Sequence, residues 1–296
     1  MQVIRRILVI ATVAVVSGLF IYATTSLRKT HPYVHTSLPS EMDFCGEKVP
    51  LQLADVSERF DRELTVNTNL HATTELVIKR ANRAFPVIEP ILKKYGVPDD
   101  FKYLAVIESG LINATSPSGA KGVWQFMPAT AKELGMEVND IVDERYNLEK
   151  STEYACKYLL KAKEKSGTWT LAAASYNGGL NGIMRMKDEQ KVNDYYDMLL
   201  TDETYRYVFR ILALKEIMQN QEKYGYMMPK SVLYPVIPTK KVEVSTNIDN
   251  LAQFAIDQGI NYKILKIHNP WLRDKKLEVQ PGKVYTIQIP LEGYTR

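Results

Sequence analysis

From residue 71 to residue 228 the chain is a succession of helix-like segments, most of them closed by a glycine, and this pattern limits the fold more than any other feature. Apolar residues recur at helical spacing, and glycine is a common residue just after a last helical turn. Because this range has no sustained strand-like alternation, it is predicted to form an all-α domain. The predicted helices are TTELVIKRANRAFPVIEPILKKYG, interrupted at Pro86, then PDDFKYLAVIESG, PATAKELG, NLEKSTEYACKYLLKAKEKSG, TWTLAAASYNGG and DETYRYVFRILALKEIMQNQEKYG.

The pattern changes after residue 228. Pro229, Pro235 and Pro238 indicate a linker over residues 229–239. Beyond it, KKVEV predicts a strand, IDNLAQFAIDQG and YKILKIHN predict two helices, and KVYTIQIP predicts a second strand. Residues 240–296 are therefore predicted to form a separate β-α-α-β module, and the fold class is mainly α.

The N-terminal segment predicts export. Arg5 and Arg6 precede an uncharged apolar run from Ile7 to Leu27, which is long enough to cross a bilayer as a helix. Residues 1–30 are expected to be either a cleaved signal peptide or a retained membrane anchor, which places the rest of the protein in the periplasm or cell envelope. Residues 31–70, with several prolines and little periodicity, are expected to form a tether and entry segment.

Composition supports no role in nucleic-acid or metal binding. The net charge is only +4, and no long run of lysine or arginine is present. Cys45 and Cys156 would be able to pair after export, although helical spacing places Cys156 in a core. Two cysteines and four scattered histidines do not make a structural zinc site. No metal and no cofactor are expected, and the chain is expected to be a monomer.

Glu108 occupies a place where helical spacing predicts an apolar side chain. Phe101 and Leu104 lie on the apolar stripe, Glu108 is a later position on it, and no other acid follows until Glu133. Because Gly110 ends the helix, the carboxyl group lies near the negative end of the helix dipole and in a partly buried place. Both effects raise its pKa, as a general acid requires. From the pattern alone, a structural acid and an error in the helical period remain open.

The next segment, LINATSPSGAKGVWQFMP, mixes uncharged hydrogen-bonding groups with apolar ones. This mixture suits a sugar, whose edges need donors and acceptors and whose faces are apolar. A polar surface loop followed by aromatic residues of a core would have the same composition. The polar candidates are Asn113, Ser116, Ser118 and Gln125, and the apolar candidates are Trp124, Phe126 and Met127.

Four blocks resemble, in their order, the signatures of the lytic murein transglycosylase family with the soluble-lytic-transglycosylase (SLT, goose-lysozyme-like) domain. They are ESG, GVWQFMPATA, AAASYNGG and ETYRYV, and the resemblance covers about residues 55–228. The third block departs from the AYNAG of the family at Ser175 and Gly179, which are small replacements that leave Tyr176 and Asn177 in place. The resemblance implies a lysozyme-like all-α catalytic domain.

The resemblance also implies a reaction. Enzymes of this family cleave the bond between N-acetylmuramic acid and N-acetylglucosamine in peptidoglycan, and the 6-hydroxyl of the sugar attacks in place of water to give a 1,6-anhydromuramyl product. Glu108 would be the only catalytic residue, first as acid and then as base, with Tyr176 supporting it. Independently, helical spacing with Thr204 and Ile211 turns Tyr207 inward. The substrate-binding residues implied by the family are Ser116, Ser118, Gln125, Met127, Tyr176, Asn177 and Tyr207.

Residues 240–296 are similar to the LysM module, a small fold that binds glycans containing N-acetylglucosamine. The matching features are HNPW around Asn269, the PGK turn and the final strand. The first turn has Asn247, Ile248 and Asp249 where the module usually has glycine and aspartate. The resemblance implies peptidoglycan glycan strands as the partner, while a structural cap without glycan binding stays open.

Two other functions remain open. A hydrolytic muramidase would use Glu108 with water as the nucleophile and would need a second carboxylate, for which Glu133, Asp140 and Asp143 are the candidates. A wall-binding protein without catalysis would need neither, and the intact ESG block argues against it.

Overall fold

The computed structural model describes residue 17 and residues 36–292. The predicted signal or anchor segment, residues 1–30, lies outside the described residues except at residue 17. None of the helices in the described part is both long and apolar enough to cross a bilayer. Residues 36–292 belong to one compact unit.

The described part of the predicted tether is folded, so that prediction was wrong for residues 36–70. A short hairpin pairs strand β1 (Asp43–Phe44) with strand β2 (Glu47–Lys48), and helix α1 follows over Ala54–Asn69. Phe44 in the hairpin and Phe60 in α1 are fully buried. Buried positions recur at helical spacing along α1, but Arg59 and Glu63 are among them, so few of these positions are apolar.

The rest of this domain is helical, as predicted. Its helices are α2 (His71–Tyr95), α3 (Phe101–Ser109), α4 (Pro128–Glu133), α5 (Leu148–Ser166), α6 (Trp169–Gly178), α7 (Leu180–Gln190) and α8 (Asp202–Gln219). The sequence pattern did not predict α7, in which Ile183 is the one buried residue.

Helix α2 is continuous through the position where a break was predicted. It contains both Pro86 and Pro90 within 25 residues. Proline removes a backbone donor and leaves a carbonyl unpaired one turn earlier. Both prolines are exposed, and Asn82, one turn before Pro86, is exposed as well, so water is available to that carbonyl group.

Helices α3 and α8 pack against each other in the centre of the domain. Phe101 and Leu104 of α3 and Val208 and Leu212 of α8 have no exposed surface. Helix α8 also packs against α1 and α6. The C-terminal end of α3 is thereby fixed beside the first half of α8.

The C-terminal module has the predicted β-α-α-β order. Its elements are β3 (Thr239–Val244), α9 (Leu251–Asp257), α10 (Tyr262–His268) and β4 (Tyr285–Pro290), and β3 pairs antiparallel with β4. The fully buried Asn269 joins the end of α10 to the sheet: its amide donates to the carbonyl oxygen of Gln288 at 2.7 Å and accepts from the Gln288 N–H at 2.8 Å.

The module packs against the segment between α4 and α5. Val142 forms an antiparallel bridge with Leu272, and the Asp143 N–H donates to the Trp271 carbonyl oxygen at 2.9 Å. Val142 and Tyr146 belong to the hydrophobic cluster of the module rather than to the main core. The helical domain therefore contributes side chains to the core of the module.

Candidate active site

Glu108 lies in the last turn of α3, as predicted, and the end of this helix is held by two arginines. Gly110 closes the helix with a φ of 60°, in the left-handed region that glycine adopts without strain. The carbonyl groups of a last turn have no partner inside the helix. Arg80 donates to the Gly110 carbonyl oxygen at 3.1 Å, and Arg210 donates to that of Ile107 at 3.0 Å. These bonds fix the backbone on both sides of Glu108.

The carboxyl group of Glu108 is partly buried and has an abnormal pKa. Burial raises the pKa from 4.5 to about 7, outweighing the hydrogen bond from Tyr207 and the positive charge of Arg210, while the negative charge of Glu203 adds to the increase. The upward direction predicted from the sequence is confirmed, and burial is its main cause. Near neutral pH the group is therefore divided between its protonated and ionised forms.

The hydroxyl group that contacts Glu108 belongs to Tyr207, whose ring is almost completely buried in α8. Burial and the neighbouring negative charge of Glu108 raise the pKa of Tyr207 well above its ordinary value. The phenol therefore keeps its proton and acts as the donor to the Glu108 oxygen. The predicted inward orientation of Tyr207 is confirmed.

Tyr176 is close to Glu108 but does not bond to it. Its hydroxyl group donates to the Trp124 carbonyl oxygen at 2.7 Å, and its ring lies between those of Phe126 and Tyr158, at centroid distances of 5.9 and 5.3 Å. Burial, and then the charge of Glu108, raise the pKa of Tyr176 well above its ordinary value. Tyr176 thus joins α6 to the loop of the second block.

Asn177 joins α6 to the first turn of α8. Its amide donates to Glu203 at 3.0 Å, and its oxygen accepts from the Thr204 hydroxyl at 2.7 Å. Glu203 was not predicted as a site residue, although it lies in the ETYRYV block. The spacing of Glu203, Tyr207 and Arg210 at i, i+4 and i+7 places them on one face of α8 and would have identified Glu203 and Arg210.

The loop from residue 111 to residue 127 places its predicted residues in three different settings. Gln125, at a φ of 49°, uses its amide to hold the loop, donating to the carbonyl oxygens of Gly122 at 2.7 Å and Ala114 at 3.2 Å. Ser116 closes a turn by accepting from the Ala120 N–H at 2.9 Å. Three residues are exposed to solvent, namely Asn113, Ser118 and Met127, whereas Trp124 and Phe126 are buried in the core.

The same loop is supported from below by Arg145. This buried guanidinium pairs with Asp143 at 2.7 Å and donates to the Phe126 carbonyl oxygen at 3.3 Å. Gly122, at a φ of 84°, lies directly over the Arg145 backbone, and a Cβ atom there would be 1.8 Å from the Arg145 carbonyl oxygen. Only glycine fits this contact without a shift of the backbone.

The predicted second carboxylates have other surroundings. Asp143 is neutralised by Arg145, Glu133 pairs with Lys161 at 3.2 Å on the surface, and Asp140 is exposed. Among the described carboxylates, Glu203 is the one that affects the pKa of Glu108.

The described residues offer no clear place for a metal ion. Between residues 36 and 292, no three His, Cys, Asp or Glu side chains are grouped as metal ligands would be. Cys45 and Cys156 are free thiols and do not form a disulfide.

Two family models match the chain. The transglycosylase SLT domain matches residues 86–199, and the soluble lytic transglycosylase C-terminal LysM-like domain matches residues 240–293. The first match contains Glu108, the loop and Tyr176, whereas Tyr207 lies just beyond it.

The chain is also similar to named bacterial proteins. The chain is 27% identical over 243 residues to membrane-bound lytic murein transglycosylase D of Escherichia coli strain K12 and of E. coli O6:H1 strain CFT073, covering 79% of this chain and 52% of each relative. It is 25% identical over 197 residues to a protein of Alteromonas sp. strain M-1 named for tributyltin chloride resistance, covering 64% of this chain and 94% of that one. The chain spans about half the length of the transglycosylase D relatives. It contains a transglycosylase SLT domain followed by a LysM-like domain of the type found at the C-terminus of soluble lytic transglycosylases.

Proposed function

We propose that this protein is a peptidoglycan lytic transglycosylase that cleaves the bond between N-acetylmuramic acid and N-acetylglucosamine. The observation that supports this most directly is the state of Glu108, whose pKa of about 7 leaves it able both to donate and to accept a proton near neutral pH. The SLT match, and the printed name of the transglycosylase D relatives, supply the substrate class.

In the proposed first step, protonated Glu108 donates its proton to the glycosidic oxygen as the bond from that oxygen to C1 of the muramyl sugar breaks. The acetamido carbonyl group of the same sugar stabilises the positive charge that develops at C1. Most glycosidases use a second carboxylate at this point, and here the substrate takes its place.

In the second step, ionised Glu108 removes the proton of the 6-hydroxyl group, whose oxygen bonds to C1. The products are a 1,6-anhydromuramyl end and a free N-acetylglucosamine end, water is not consumed, and Glu108 regains its proton. An internal nucleophile held in position can contribute roughly 7–11 kcal/mol in ideal cases. The hydrogen bond from Tyr207 orients the carboxyl group and stabilises its ionised form between the steps.

The remaining predicted residues are proposed as sugar contacts. Two of them are exposed, four are half-buried, and the buried Tyr207 contacts Glu108 directly. The proposed substrate-binding set is Ser116, Ser118, Gln125, Met127, Tyr176, Asn177 and Tyr207.

The wider assignments are also proposals. The SLT-containing domain is taken as residues 71–228 with the folded residues 36–70 added, followed by the linker 229–239 and the module 240–296. We propose that the module binds peptidoglycan glycan strands, and co-sedimentation of the whole protein with purified cell wall, with and without a module-disrupting change, tests this. A cell-envelope location, a signal peptide or membrane anchor in residues 1–30, and a monomeric state complete the proposal.

Mass spectrometry of digested peptidoglycan tests the reaction. Products with anhydromuramyl ends, each lighter by one water than a reducing end, are expected. Reducing ends would instead establish a muramidase, for which Glu203 is the candidate second carboxylate because its charge reaches Glu108. Absence of cleavage by a folded protein would leave a wall-binding function.

A further inference from the structure

A cavity of about 650 Å³ lies between α2, the segment after α3, the linker and the C-terminal module. Its volume is that of a small-molecule site. Of the candidate active-site residues predicted from the sequence, Asn113 alone is in its lining. It therefore needs an explanation separate from that of Glu108.

The charged groups of the cavity favour an anion. Arg80 and Arg83, three residues apart on α2, share one face of the helix and both line the cavity. Among residues 36–292, neither forms an ion pair, and their hydrogen bonds go to the backbone carbonyl oxygens of Gly110 and Pro235. A guanidinium has five N–H donors, so donors remain for a ligand. The acid in the lining, Glu149, is already opposed by Lys241 at 3.3 Å.

The other walls are apolar or uncharged. Leu111 and Trp271 are almost completely buried, Val236 is an exposed apolar residue of the linker, and Asn113 and Asn147 add amide groups. A ligand that fits these walls combines carboxylates with short apolar groups and with amides that need hydrogen bonds. A short acidic peptide has this chemistry.

The cavity begins close to the proposed catalytic carboxyl group. Asn113 follows Glu108 by five residues, so their Cα atoms are at most about 18 Å apart. Arg80 itself binds the carbonyl group of Gly110, two residues after Glu108. An extended peptide of three to five residues covers about 10–18 Å and would reach the cavity from a sugar bound at Glu108.

We infer that the cavity binds the peptide stem of the muramyl sugar and that Arg83 and Arg80 pair with its carboxylates. The inference rests on the proposed function, because it takes peptidoglycan as the substrate. Because Trp271 forms one wall of this cavity, the C-terminal module would contact the stem peptide in addition to binding glycan strands. Guanidinium–carboxylate hydrogen bonds are among the stronger polar contacts of proteins.

Kinetics on two substrates test the inference. Arg83→Gln is the main variant, because Arg83 is exposed and its loss is compatible with folding, which circular dichroism verifies. The control is Lys79→Gln, on the same helix but outside the cavity, where the lysine pairs with Glu75. Each protein is assayed on intact peptidoglycan and on the same strands after an amidase has removed the stems.

The ratio of kcat/KM on stem-bearing strands to kcat/KM on stem-free strands is expected to fall about 3- to 10-fold in Arg83→Gln. Lys79→Gln should leave this ratio at the wild-type value. An unchanged ratio in Arg83→Gln would overturn the inference, as would an equal fall on both substrates. Failure of the wild-type protein to cleave either substrate would refute the proposed function instead.

If the wild-type protein cleaves neither substrate, a binding measurement still tests whether the cavity binds the stem peptide. Calorimetric titration of the whole protein with the free stem peptide should show binding that Arg83→Gln weakens and that Lys79→Gln preserves. The same peptide with its carboxylates converted to amides should bind more weakly. Equal binding of both peptides, or no binding at all, would exclude a carboxylate site.

Discussion

Two carboxylates of this protein, Glu108 in the candidate active site and Glu137 beside the C-terminal module, have opposite pKa shifts. Each is partly buried, and each accepts a hydrogen bond from a tyrosine, Tyr207 or Tyr285. Burial raises the pKa of Glu108 to about 7, whereas at Glu137 the hydrogen bonds from Lys283 and Tyr285 outweigh burial and lower it. Glu108 is the more deeply buried of the two and has no bonded ammonium, and both differences favour its protonated form.

Arg210, the cation that acts on Glu108, does not bond to the carboxylate as Lys283 bonds to Glu137. Arg210 lowers the pKa of Glu108 through its charge, yet its described hydrogen bond goes to the Ile107 carbonyl oxygen and not to the carboxylate. It stabilises the end of α3 while leaving Glu108 available for proton transfer. A bonded lysine, as at Glu137, would favour the ionised form and remove the proposed general acid.

The largest expected effect is on catalytic activity, which substitution of Glu108 should lower and substitution of Glu137 should not. Glu108→Gln removes the proton donor and should lower kcat by about 10²- to 10⁴-fold on purified peptidoglycan. Glu137→Gln should retain activity, because Glu137 bonds to the module and not to the proposed site. Residual activity near the wild-type level in Glu108→Gln would assign the acid to another residue.

The second expected effect is on stability, and the sign follows from the raised pKa. Because the folded-state pKa of Glu108 exceeds its ordinary value of 4.5, folding disfavours the ionised form of this group. The protonated form carries no such penalty, so the protein is more stable below pH 4.5 and loses this stability as the pH rises through about 7. Glu108→Gln should therefore raise the free energy of unfolding at pH 8 by up to about 3 kcal/mol. Urea denaturation at pH 8 and pH 5 measures the gain, which should shrink at the lower pH.

Tyr207→Phe should have an intermediate effect. Loss of the hydrogen bond removes an influence that lowers the pKa of Glu108, so the alkaline limb of the pH–activity profile should move upward. The rate should fall about tenfold, the equivalent of a hydrogen bond to a charged group.

Tyr195→Phe is the matched control for Tyr207→Phe. It also removes a buried hydroxyl group, one that donates to the Thr204 and Tyr205 carbonyl oxygens at 2.9 and 2.6 Å. A profile that shifts equally in both variants would show that the effect is structural and not specific to Glu108.

The smallest effect is expected at the second carboxylate. Because the folded-state pKa of Glu137 is lowered, its contribution to stability is present above the ordinary pKa and is lost as pH falls through the lowered value. Lys283 is 41% exposed, so Glu137→Gln should cost no more than about 1 kcal/mol at pH 7. Thermal unfolding at pH 7 and pH 4 would contradict the comparison if the loss grew at the lower pH.

Sequence patterns predicted the features that depend on local structure. The helix that ends at Gly110, the inward face with Tyr207 and each single element of the module follow from spacing over fewer than twenty residues. The raised pKa of Glu108 followed from the same spacing, because its position on an apolar stripe already implied burial.

Features that depend on distant contacts were not predictable in this way. Helix α1 is buried against α8, more than 130 residues later, and its own stripe is weak. The family resemblance assigned support of the acid to Tyr176, while the direct hydrogen bond comes from Tyr207. The insertion of Val142 into the core of the module has no signal in the sequence of either domain.

The packing of Gly122 on the Arg145 carbonyl group determines which substitutions the loop tolerates. Any side chain at position 122 would push the loop away from its support and displace Gln125 and Phe126 with it. A saturation screen for activity would therefore rank this position beside Glu108, although glycine offers no group to the sugar. The essential positions would therefore include Gly122 and Arg145, which lie outside the set of residues proposed to touch the glycan.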